Sequence, residues 1–147
     1  MFGIRHTAPA VVVADDDPAM RLLLSHALRD AGYTAYTAMD ISEAMGQVLR
    51  RGVTAAIIDM LFVNSGGRSG LDLLRFIRRH TGVSELPVIV LTGFALNQTV
   101  MAEIEEYGGE LWHKPVDPIE IMDRLGRLVG TPLSPVEPRP GDTDRRA

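Results

Sequence analysis

The sequence contains no cysteine, which excludes disulfide bonds and thiol chemistry. It has no apolar run close to the roughly 20 residues that a membrane-spanning helix needs, and its start, MFGIRHTAPA, lacks the apolar core of a signal peptide. Basic residues are not in excess, because 15 Lys and Arg stand against 19 Asp and Glu, for a net charge of −4. An acidic chain is a poor ligand for nucleic acid, whose affinity comes mainly from neutralised phosphates. We therefore expect a cytoplasmic protein that binds neither membrane nor nucleic acid.

Apolar residues, by contrast, are plentiful and make up 46% of the 147 residues. This length and composition predict a single globular domain that forms its core without cross-links. Residues 1–9 show no periodicity and predict a flexible lead-in. Residues 131–147 hold four of the nine prolines and no large apolar cluster, which predicts a disordered tail after a domain over residues 10–130.

Five short apolar runs alternate along the chain with five stretches of helical periodicity. The apolar runs are AVVVA (10–14), YTAYTA (33–38), TAAIID (54–59), LPVIVLT (86–92) and ELWHK (110–114). The helical stretches cover about residues 18–31, 42–51, 71–80, 96–107 and 118–129. Three of the runs are β-branched and nearly continuous, which is typical of strands covered on both faces. This order predicts an α/β fold with an open parallel sheet.

Carboxylates cluster where two of the predicted strands end, which is where ligands bind in such a sheet. Asp15, Asp16 and Asp17 follow the first strand, and Asp59 closes the third. Clustered carboxylates repel one another unless a hard cation such as Mg2+ lies among them, and carboxylate-bound Mg2+ usually serves phosphate chemistry. Asp17 precedes a proline and fits a helix N-cap better than a ligand. Asp15 and Asp16, taken alone, fit a solvated loop equally well.

The fourth and fifth predicted strands bring a hydroxyl and an amine to the same edge. Thr92 ends the fourth strand and Lys114 the fifth. Lys114 would supply a positive charge to a phosphoryl oxygen, and Thr92 would supply a hydrogen bond. Each residue alone is a weak signal, but their joint placement with the carboxylates favours a magnesium site for phosphoryl chemistry.

Five segments, in order, carry a resemblance to a known family. They are VVVADDDPAMRLLL, AAIIDM, GLDLLRFIRR, PVIVLTG and HKP, and together they resemble the receiver domain of two-component response regulators over about residues 10–129. The resemblance implies a doubly wound, five-stranded parallel sheet of order 2-1-3-4-5, flanked by five helices in the flavodoxin-like manner.

The resemblance also implies a role for each acidic position. Asp59 would accept the phosphoryl group, and Asp15 and Asp16 would hold Mg2+ together with the Asp59 carboxylate and the backbone carbonyl of Leu61. The donor would be a phosphohistidine of a sensor histidine kinase or a phosphotransfer protein. Such a chain is a signalling phosphoacceptor rather than an enzyme, since it catalyses only its own phosphorylation and dephosphorylation. It would act on an unidentified downstream protein, by altered binding or by onward transfer.

The remaining positions of the family motif follow in the same way. Lys114 would pair with the phosphoryl group, Thr92 would move to hydrogen-bond it, and the peptide bond before Pro115 would be cis. The added negative charge would bias the loops that lead to the fourth helix and the fifth strand. Homodimers through the fourth helix, fifth strand and fifth helix are common among relatives and stay open for this chain.

The loop after the acceptor departs from the family pattern. The glycine usually found eight residues after the acceptor is matched by Gly70, eleven residues on, and Val63 stands where a proline is common. The loop over residues 60–69 is therefore about three residues longer than usual, and its NSGGRSG segment predicts greater flexibility. It either gates the site or contacts a partner, or it is a tolerated surface insertion.

Two further departures concern the switch region. The switch position, three residues before the lysine, holds Leu111, with Trp112 beside it. A leucine lacks the polar tip that distinguishes inward from outward states of an aromatic residue, so we expect the usual coupling with Thr92 to be altered. Gly93 follows Thr92 where a residue such as alanine is typical, which permits more loop motion.

Leu61 and Phe94 lie two residues beyond the acceptor and the threonine, respectively, beside the route by which water would attack an aspartyl phosphate. Neither side chain can orient a water molecule by hydrogen bonding. We therefore hypothesise slow self-dephosphorylation.

Two other functions stay open from the sequence alone. One is a receiver-like scaffold that works without phosphorylation, which Leu111 and the long loop would suit. The other is a magnesium-dependent phosphatase with an aspartyl-phosphate intermediate, which would need an acid at the position that Leu61 occupies. The basic run RFIRRH (75–80) lies at a predicted helix C-terminus, where the helix dipole favours cations, so it indicates a helix end rather than a nucleic-acid surface.

Overall fold

The structure, a computed structural model, describes residues 8–130. Within these residues the strands are β1 (Ala10–Ala14), β2 (Thr34–Ala38), β3 (Val53–Asp59), β4 (Val88–Thr92) and β5 (Gly109–His113). The helices are α1 (Pro18–Asp30), α2 (Ile41–Gln47), α3 (Gly70–Arg79), α4 (Gln98–Glu106) and α5 (Pro118–Val129). The predicted tail over residues 131–147 and most of the predicted lead-in lie outside the described residues.

The five strands form one parallel sheet in the order β2-β1-β3-β4-β5. This confirms the predicted α/β fold and strand order. The order reverses direction between β1 and β3, which are neighbours at the centre of the sheet, and the carboxyl ends of such neighbours form the ligand crevice of open α/β sheets. All five residues of β1 and of β4 are buried, as their continuous apolar runs predict.

The helices cover the sheet on both faces. One core cluster contains side chains of α2, α3 and α4, such as Ile41, Leu74 and Ile104, and the other contains side chains of α1 and α5, such as Leu24 and Ile121. Each fully buried aliphatic side chain contributes about 1.5–3 kcal/mol through burial. Among the described residues, no helix has both the length and the apolarity needed to cross a bilayer.

Helix caps fix the ends of the two connections that follow β1 and β3. Asp17 accepts a hydrogen bond from the N–H of Ala19 and caps α1, with Pro18 in its first turn. The cap leaves only three residues between β1 and α1, so Asp15 and Asp16 are held at the sheet edge. Ser69 and Asp72 form a reciprocal capping box at the start of α3.

The second helix is shorter than its periodicity predicts, because it ends at Gln47 rather than at Arg51. Its last N–H groups turn back onto nearer carbonyls, with Leu49 donating to Gly46 and Arg50 donating to Gln47. These bonds to the third preceding residue tighten the chain into turns. The turn allows Val53 to enter β3, and this tertiary requirement overrides the helical pattern of the sequence.

Candidate functional site

Three carboxylates meet at the carboxyl edge of the central strands. Asp15 directly follows β1 and Asp59 is the last residue of β3, and the register that pairs Ala14 with Ile58 brings them side by side. One carboxylate oxygen from each of Asp15, Asp16 and Asp59 lies within 4.8 Å of the other two. Asp15 is only 2% exposed and Asp59 only 6% exposed, while Asp16 is half-buried.

Lys114 brings a cation to this cluster from the loop after β5. Its Nζ lies 2.8 Å from Oδ1 of Asp59 and 3.3 Å from Oδ2 of Asp15. Its backbone N–H donates a 2.8 Å hydrogen bond to the carbonyl of Thr92, which extends the pairing of β4 with β5 by one residue. The peptide bond between Lys114 and Pro115 is cis.

The charges of the site are unbalanced. Burial raises the pKa of the Asp15 carboxyl, and the Asp59 charge raises it further, against hydrogen bonds from the Asp17 N–H and from Lys114. Burial by itself lowers the pKa of the Lys114 amine, but the contacts with Asp59 and Asp15 outweigh burial, and the net effect raises that pKa. Lys114 is therefore protonated at neutral pH, and its single ammonium contacts two of the three clustered carboxyl groups, those of Asp59 and Asp15.

The donor set fits a magnesium ion. Hard carboxylate oxygens are the ligands that Mg2+ prefers, and a cation bound among them would offset the excess of carboxyl groups over the one ammonium. The cluster opens into a cavity of about 330 Å³ that is also bordered by Leu61, Val63 and Phe94, which leaves room for the water ligands that Mg2+ retains. The N–H of Leu61 donates to Oδ2 of Asp59 at 3.2 Å, so the backbone of Leu61 lies against the cluster.

Thr92 is the one residue of the expected phosphoryl-contacting pair that does not line this cavity. It ends β4 and is fully buried. Its hydroxyl donates a 2.8 Å hydrogen bond to the carbonyl of Phe94 and accepts one from the Phe94 N–H at 3.3 Å. The structure thus brings Asp15, Asp16, Asp59 and Lys114 together, while the Thr92 hydroxyl is bonded within its own loop.

The long loop after Asp59 is anchored in the structure, although its composition predicts flexibility. Phe62 and Ser65 are buried. The N–H of Val63 donates a 2.9 Å hydrogen bond to Oδ2 of Asp16, and the hydroxyl of Ser65 accepts a 3.0 Å bond from the N–H of Ile41 at the start of α2. The loop therefore connects the acidic cluster to the second helix.

Gly70 ends this loop at a point of close backbone approach. Its N–H donates to the carbonyl of Met60 at 3.0 Å, which closes the loop on itself. A Cβ at this position would overlap the backbone carbonyl oxygen of Asp59. A glycine is required here because only a residue without a side chain lets α3 begin directly against the end of β3.

Sequence reasoning missed three polar contacts that shape the site. They are the bond from the Arg21 guanidinium to the backbone carbonyl of Asp15 at 2.7 Å, the Val63 bond to Asp16 and the Ser65 bond to Ile41. An arginine one turn into a helix that follows an acidic loop is a usable signal for the first contact. The other two use backbone N–H groups, which every residue except proline carries, and leave no trace in the sequence.

The switch position and its aromatic neighbour lie on opposite faces of β5. Leu111 packs against the core under α2, α3 and α4, whereas Trp112 packs against the core under α1 and α5. The indole N–H of Trp112 donates a 2.9 Å hydrogen bond to Glu110, whose carboxylate also accepts two-pronged bonds from Arg124 of α5. Trp112 is therefore tied to α5 and does not stand in for an aromatic residue at position 111.

The fold and the site can be compared with known proteins. The family model for the response regulator receiver domain matches residues 11–126. This chain belongs to that family. Two curated relatives match it over 115 residues. The nitrogen assimilation regulatory protein NtrX of Azorhizobium caulinodans is 29% identical over 78% of this chain and 24% of NtrX. The DNA-binding response regulator MtrA of Mycolicibacterium smegmatis is 27% identical over 78% of this chain and 48% of MtrA.

A solved receiver structure agrees with this assignment. The chemotaxis response regulator CheY4 of Vibrio cholerae matches at a TM-score of 0.70 and 27% identity, over 83% of this receiver and 99% of that structure. The resemblance seen in the five sequence segments is thus confirmed, and with it the place of the chain in two-component signalling. The receiver spans about half or less of the length of NtrX and MtrA.

Proposed function

We propose that this receiver, over residues 10–130, takes a phosphoryl group from a phosphohistidine onto Asp59, with Mg2+ held by Asp15, Asp16 and Asp59. The observation that carries the proposal is the pairing of the buried Asp59 carboxylate with the ammonium of Lys114 at 2.8 Å, inside a cluster of three carboxylates that could hold a metal ion. The carboxylate nucleophile thus lies beside a positive charge that can stabilise the negative oxygens of a transferring phosphoryl group.

The reaction is an in-line displacement at phosphorus. A carboxylate oxygen of Asp59 forms the new bond to phosphorus, and the bond between phosphorus and the histidine nitrogen breaks. The electron pair of the broken bond returns to the donor's imidazole, which leaves neutral when its other nitrogen already carries a proton. The product is an aspartyl phosphate that is later cleared by water.

Lys114 holds the nucleophile before transfer and meets the product after it. Its ammonium bonds Asp59 now, so the carboxylate is oriented by a group that is protonated throughout the neutral pH range. Once Asp59 carries a phosphoryl group, the same ammonium is the nearest cation to the added negative charge, and a charge-assisted bond to a phosphoryl oxygen follows.

The metal site would take its protein ligands from three carboxylates and one carbonyl. Asp15 and Asp16 come from the connection after β1, and the Asp59 carboxylate and the Leu61 carbonyl come from the end of β3. When bound, Mg2+ supplies positive charge that neutralises the oxygens of the transferring group.

Thr92 supplies the link to the rest of the molecule. To hydrogen-bond a phosphoryl oxygen, its hydroxyl has to release the carbonyl of Phe94. That exchange would move the loop between β4 and α4, where Gly93 has no side chain to restrict the motion. The phosphoryl donor would be a sensor histidine kinase or a phosphotransfer protein, and the readout would be altered partner binding or onward transfer.

The direct test is phosphorylation by a small donor. The protein is incubated with Mg2+ and acetyl phosphate, and its intact mass is taken promptly. We expect the parent to gain one phosphoryl mass and Asp59→Asn to gain none. Asp30→Asn is the matched control, because Asp30 is an exposed aspartate at the end of α1, and it should behave as the parent does.

The same experiment separates the alternatives. No mass gain in the parent, together with no change of Trp112 fluorescence on adding beryllium fluoride, would contradict the proposal and favour a scaffold that works without phosphorylation. A phosphatase of the aspartyl-phosphate type needs an acid two residues after its nucleophile, and the exposed Leu61 holds that position.

A further inference from the structure

A groove of about 480 Å³ lies between α2 and α3 and shares no lining residue with the acidic cavity. Its floor is apolar, since Met45 of α2 and Phe76 of α3 line it and are partly buried against the core. The basic run at the end of α3 supplies its other wall, with Arg79 and His80 among the lining residues. The groove therefore combines an apolar floor with a basic rim.

Two cations of this rim lack an acidic partner. Within residues 8–130, Arg68 and Arg79 form no ion pair, whereas the neighbouring Arg75 pairs with both Asp72 and Glu103. The chain as a whole carries a net charge of −4. Arginines without an ion pair leave positive charge on this groove, and such charge attracts negative groups locally even in an acidic protein.

The side chain of Arg68 is held in place by hydrogen bonds to neutral groups. Its guanidinium donates to the hydroxyl of Ser42 at 2.7 Å, to the carbonyl of Ser65 at 3.3 Å and to the sulfur of Met45 at 3.8 Å. These contacts fix the side chain without neutralising its charge. Binding of a carboxylate to Arg68 therefore costs little further entropy of the arginine side chain, and it forms a charge-assisted hydrogen bond.

The spacing of the two arginines sets the size of the ligand. Arg68 lies just before α3, and Arg79 is the last residue of that ten-residue helix. At a rise of about 1.5 Å per residue, the two ends of the groove are about 15 Å apart along the helix axis. An extended peptide of about six residues covers this length.

We propose that this groove is the docking site for an acidic, partly apolar segment of a partner protein. Carboxylates of the segment bind Arg68 and Arg79 at the two ends, and an apolar side chain between them lies on Met45 and Phe76. Charge complementarity with two separated arginines favours a short segment with carboxylates at its ends over nucleic acid, whose negative charges are continuous. Asp72 also lines the groove and, with the net negative charge of the chain, repels a continuous row of phosphates.

The test uses the full chain, labelled with 15N, and a blocked six-residue peptide with two glutamates at each end and two leucines between them. We expect saturable shifts of the amide signals along the groove, weakened by added salt. Arg79→Glu and Arg68→Gln should each weaken binding about tenfold. Arg29→Glu, an exposed charge reversal on α1 and thus on the other face of the sheet, should leave binding unchanged.

Several outcomes would overturn the docking site. They are an absence of amide shifts at millimolar peptide, equal shifts with a peptide in which lysines replace the glutamates, or full binding by both groove variants. Stronger shifts at the groove with a single-stranded oligonucleotide than with the acidic peptide would assign the surface to nucleic acid instead. Asp59→Asn should bind the peptide as the parent does, so the result is independent of the phosphoacceptor test.

Discussion

The backbone N–H of Val63 donates a 2.9 Å hydrogen bond to Oδ2 of Asp16, a residue 47 positions earlier in the chain. Asp16 is the least buried of the three clustered carboxylates, so its orientation depends on few other contacts. Val63 lies in the middle of the long loop that separates β3 from α3. Val63 of this loop thus supports the acidic cluster directly through its backbone.

Val63→Pro should weaken Mg2+ binding about tenfold. Loss of a hydrogen bond that orients a metal-ligating side chain typically lowers metal affinity on this scale. Proline has no N–H, so the substitution removes the donor to Asp16. The dissociation constant is measured by isothermal titration calorimetry. Val63→Ala keeps the N–H and removes only an exposed side chain, so it should bind Mg2+ as the parent does. Equal affinities in the two variants would show that this hydrogen bond does not position Asp16.

Gly70→Ala should lower the free energy of unfolding by about 1–3 kcal/mol, the usual cost of forcing atoms into an occupied space. The new methyl group would overlap the Asp59 carbonyl oxygen, which is backbone and cannot rotate away. Gly46→Ala is the control, because its methyl group would meet nothing within 4 Å inside α2. That variant should gain about 0.5–1 kcal/mol. Urea unfolding measures both, and a neutral Gly70→Ala would contradict the close approach.

The acidic site could be predicted from the sequence because of a general property of parallel sheets. Residues that follow neighbouring strands meet at one edge, so Asp15 and Asp59 had to be close once β1 and β3 were neighbours. The capping role of Asp17 was likewise visible, since an aspartate before a proline is a local signal. These features depend on short-range patterns and strand periodicity.

The remaining features depend on contacts that carry no local pattern. The hydrogen bond from the Ile41 N–H to the Ser65 hydroxyl joins residues 24 positions apart. Whether the Thr92 hydroxyl bonds its own loop or faces the cavity depends only on the orientation of its side chain. The end of α2 at Gln47 follows from the path that the chain must take into β3. Tertiary geometry decides these three features, so single-sequence reasoning could not.

Asp15→Asn should stabilise the metal-free protein at pH 7, on the order of 1 kcal/mol. Burial raises the folded-state pKa of Asp15 above 3.8, so the parent loses stability as pH rises through that raised pKa. The advantage of the variant should therefore shrink as pH falls through the raised pKa towards 3.8. Thermal unfolding between acidic and neutral pH measures it.

Added Mg2+ should reverse this order. The metal binds the folded parent and stabilises it by mass action, whereas the variant has lost one carboxylate ligand and gains less. This reversal would show that Asp15→Asn stabilises the metal-free protein by removing a buried carboxylate charge. A general improvement of packing would stabilise the variant with or without Mg2+. A variant that is less stable than the parent at neutral pH without metal would contradict the raised pKa.

Glu110→Gln should destabilise the protein by about 0.5 kcal/mol at pH 7, a value reduced for solvent screening because Arg124 is 41% exposed. Hydrogen bonds from Arg124 lower the pKa of Glu110 below 4.5, against burial, and the Trp112 N–H adds to the lowering. The stabilisation is therefore present above pH 4.5 and is lost as pH falls through the lowered pKa. Chemical unfolding at several pH values measures it.

Trp112 supplies an independent signal for the same contact. Its indole N–H bonds the Glu110 carboxylate, so the fluorescence of the folded parent should change as that carboxyl is protonated. Glu110→Gln should remove this pH dependence. Glu105→Gln, at an exposed glutamate of α4, is the control and should retain it. A parent whose fluorescence is constant over this range would contradict the coupling of Trp112 to Glu110.

Leu61→Asn and Phe94→Asn should each shorten the lifetime of the aspartyl phosphate about tenfold. This effect is smaller than the rate increase that a positioned general base usually provides. Both parent residues border the acidic cavity and are apolar, and an amide can hold an attacking water by hydrogen bonding. They are 55% and 46% exposed, so the substitutions leave the core intact. The lifetime is measured by intact mass after acetyl phosphate is removed, and it presupposes that Asp59 is phosphorylated.

Leu61→Ala and Phe94→Ala separate water positioning from simple shielding. A methyl group opens the cavity to solvent but cannot orient a water molecule, so these variants should keep lifetimes close to that of the parent. If alanine shortens the lifetime as much as asparagine does, the parent side chains slow hydrolysis by covering the phosphoryl group. In that case the lifetime should follow the size of the side chain at positions 61 and 94, whatever its polarity.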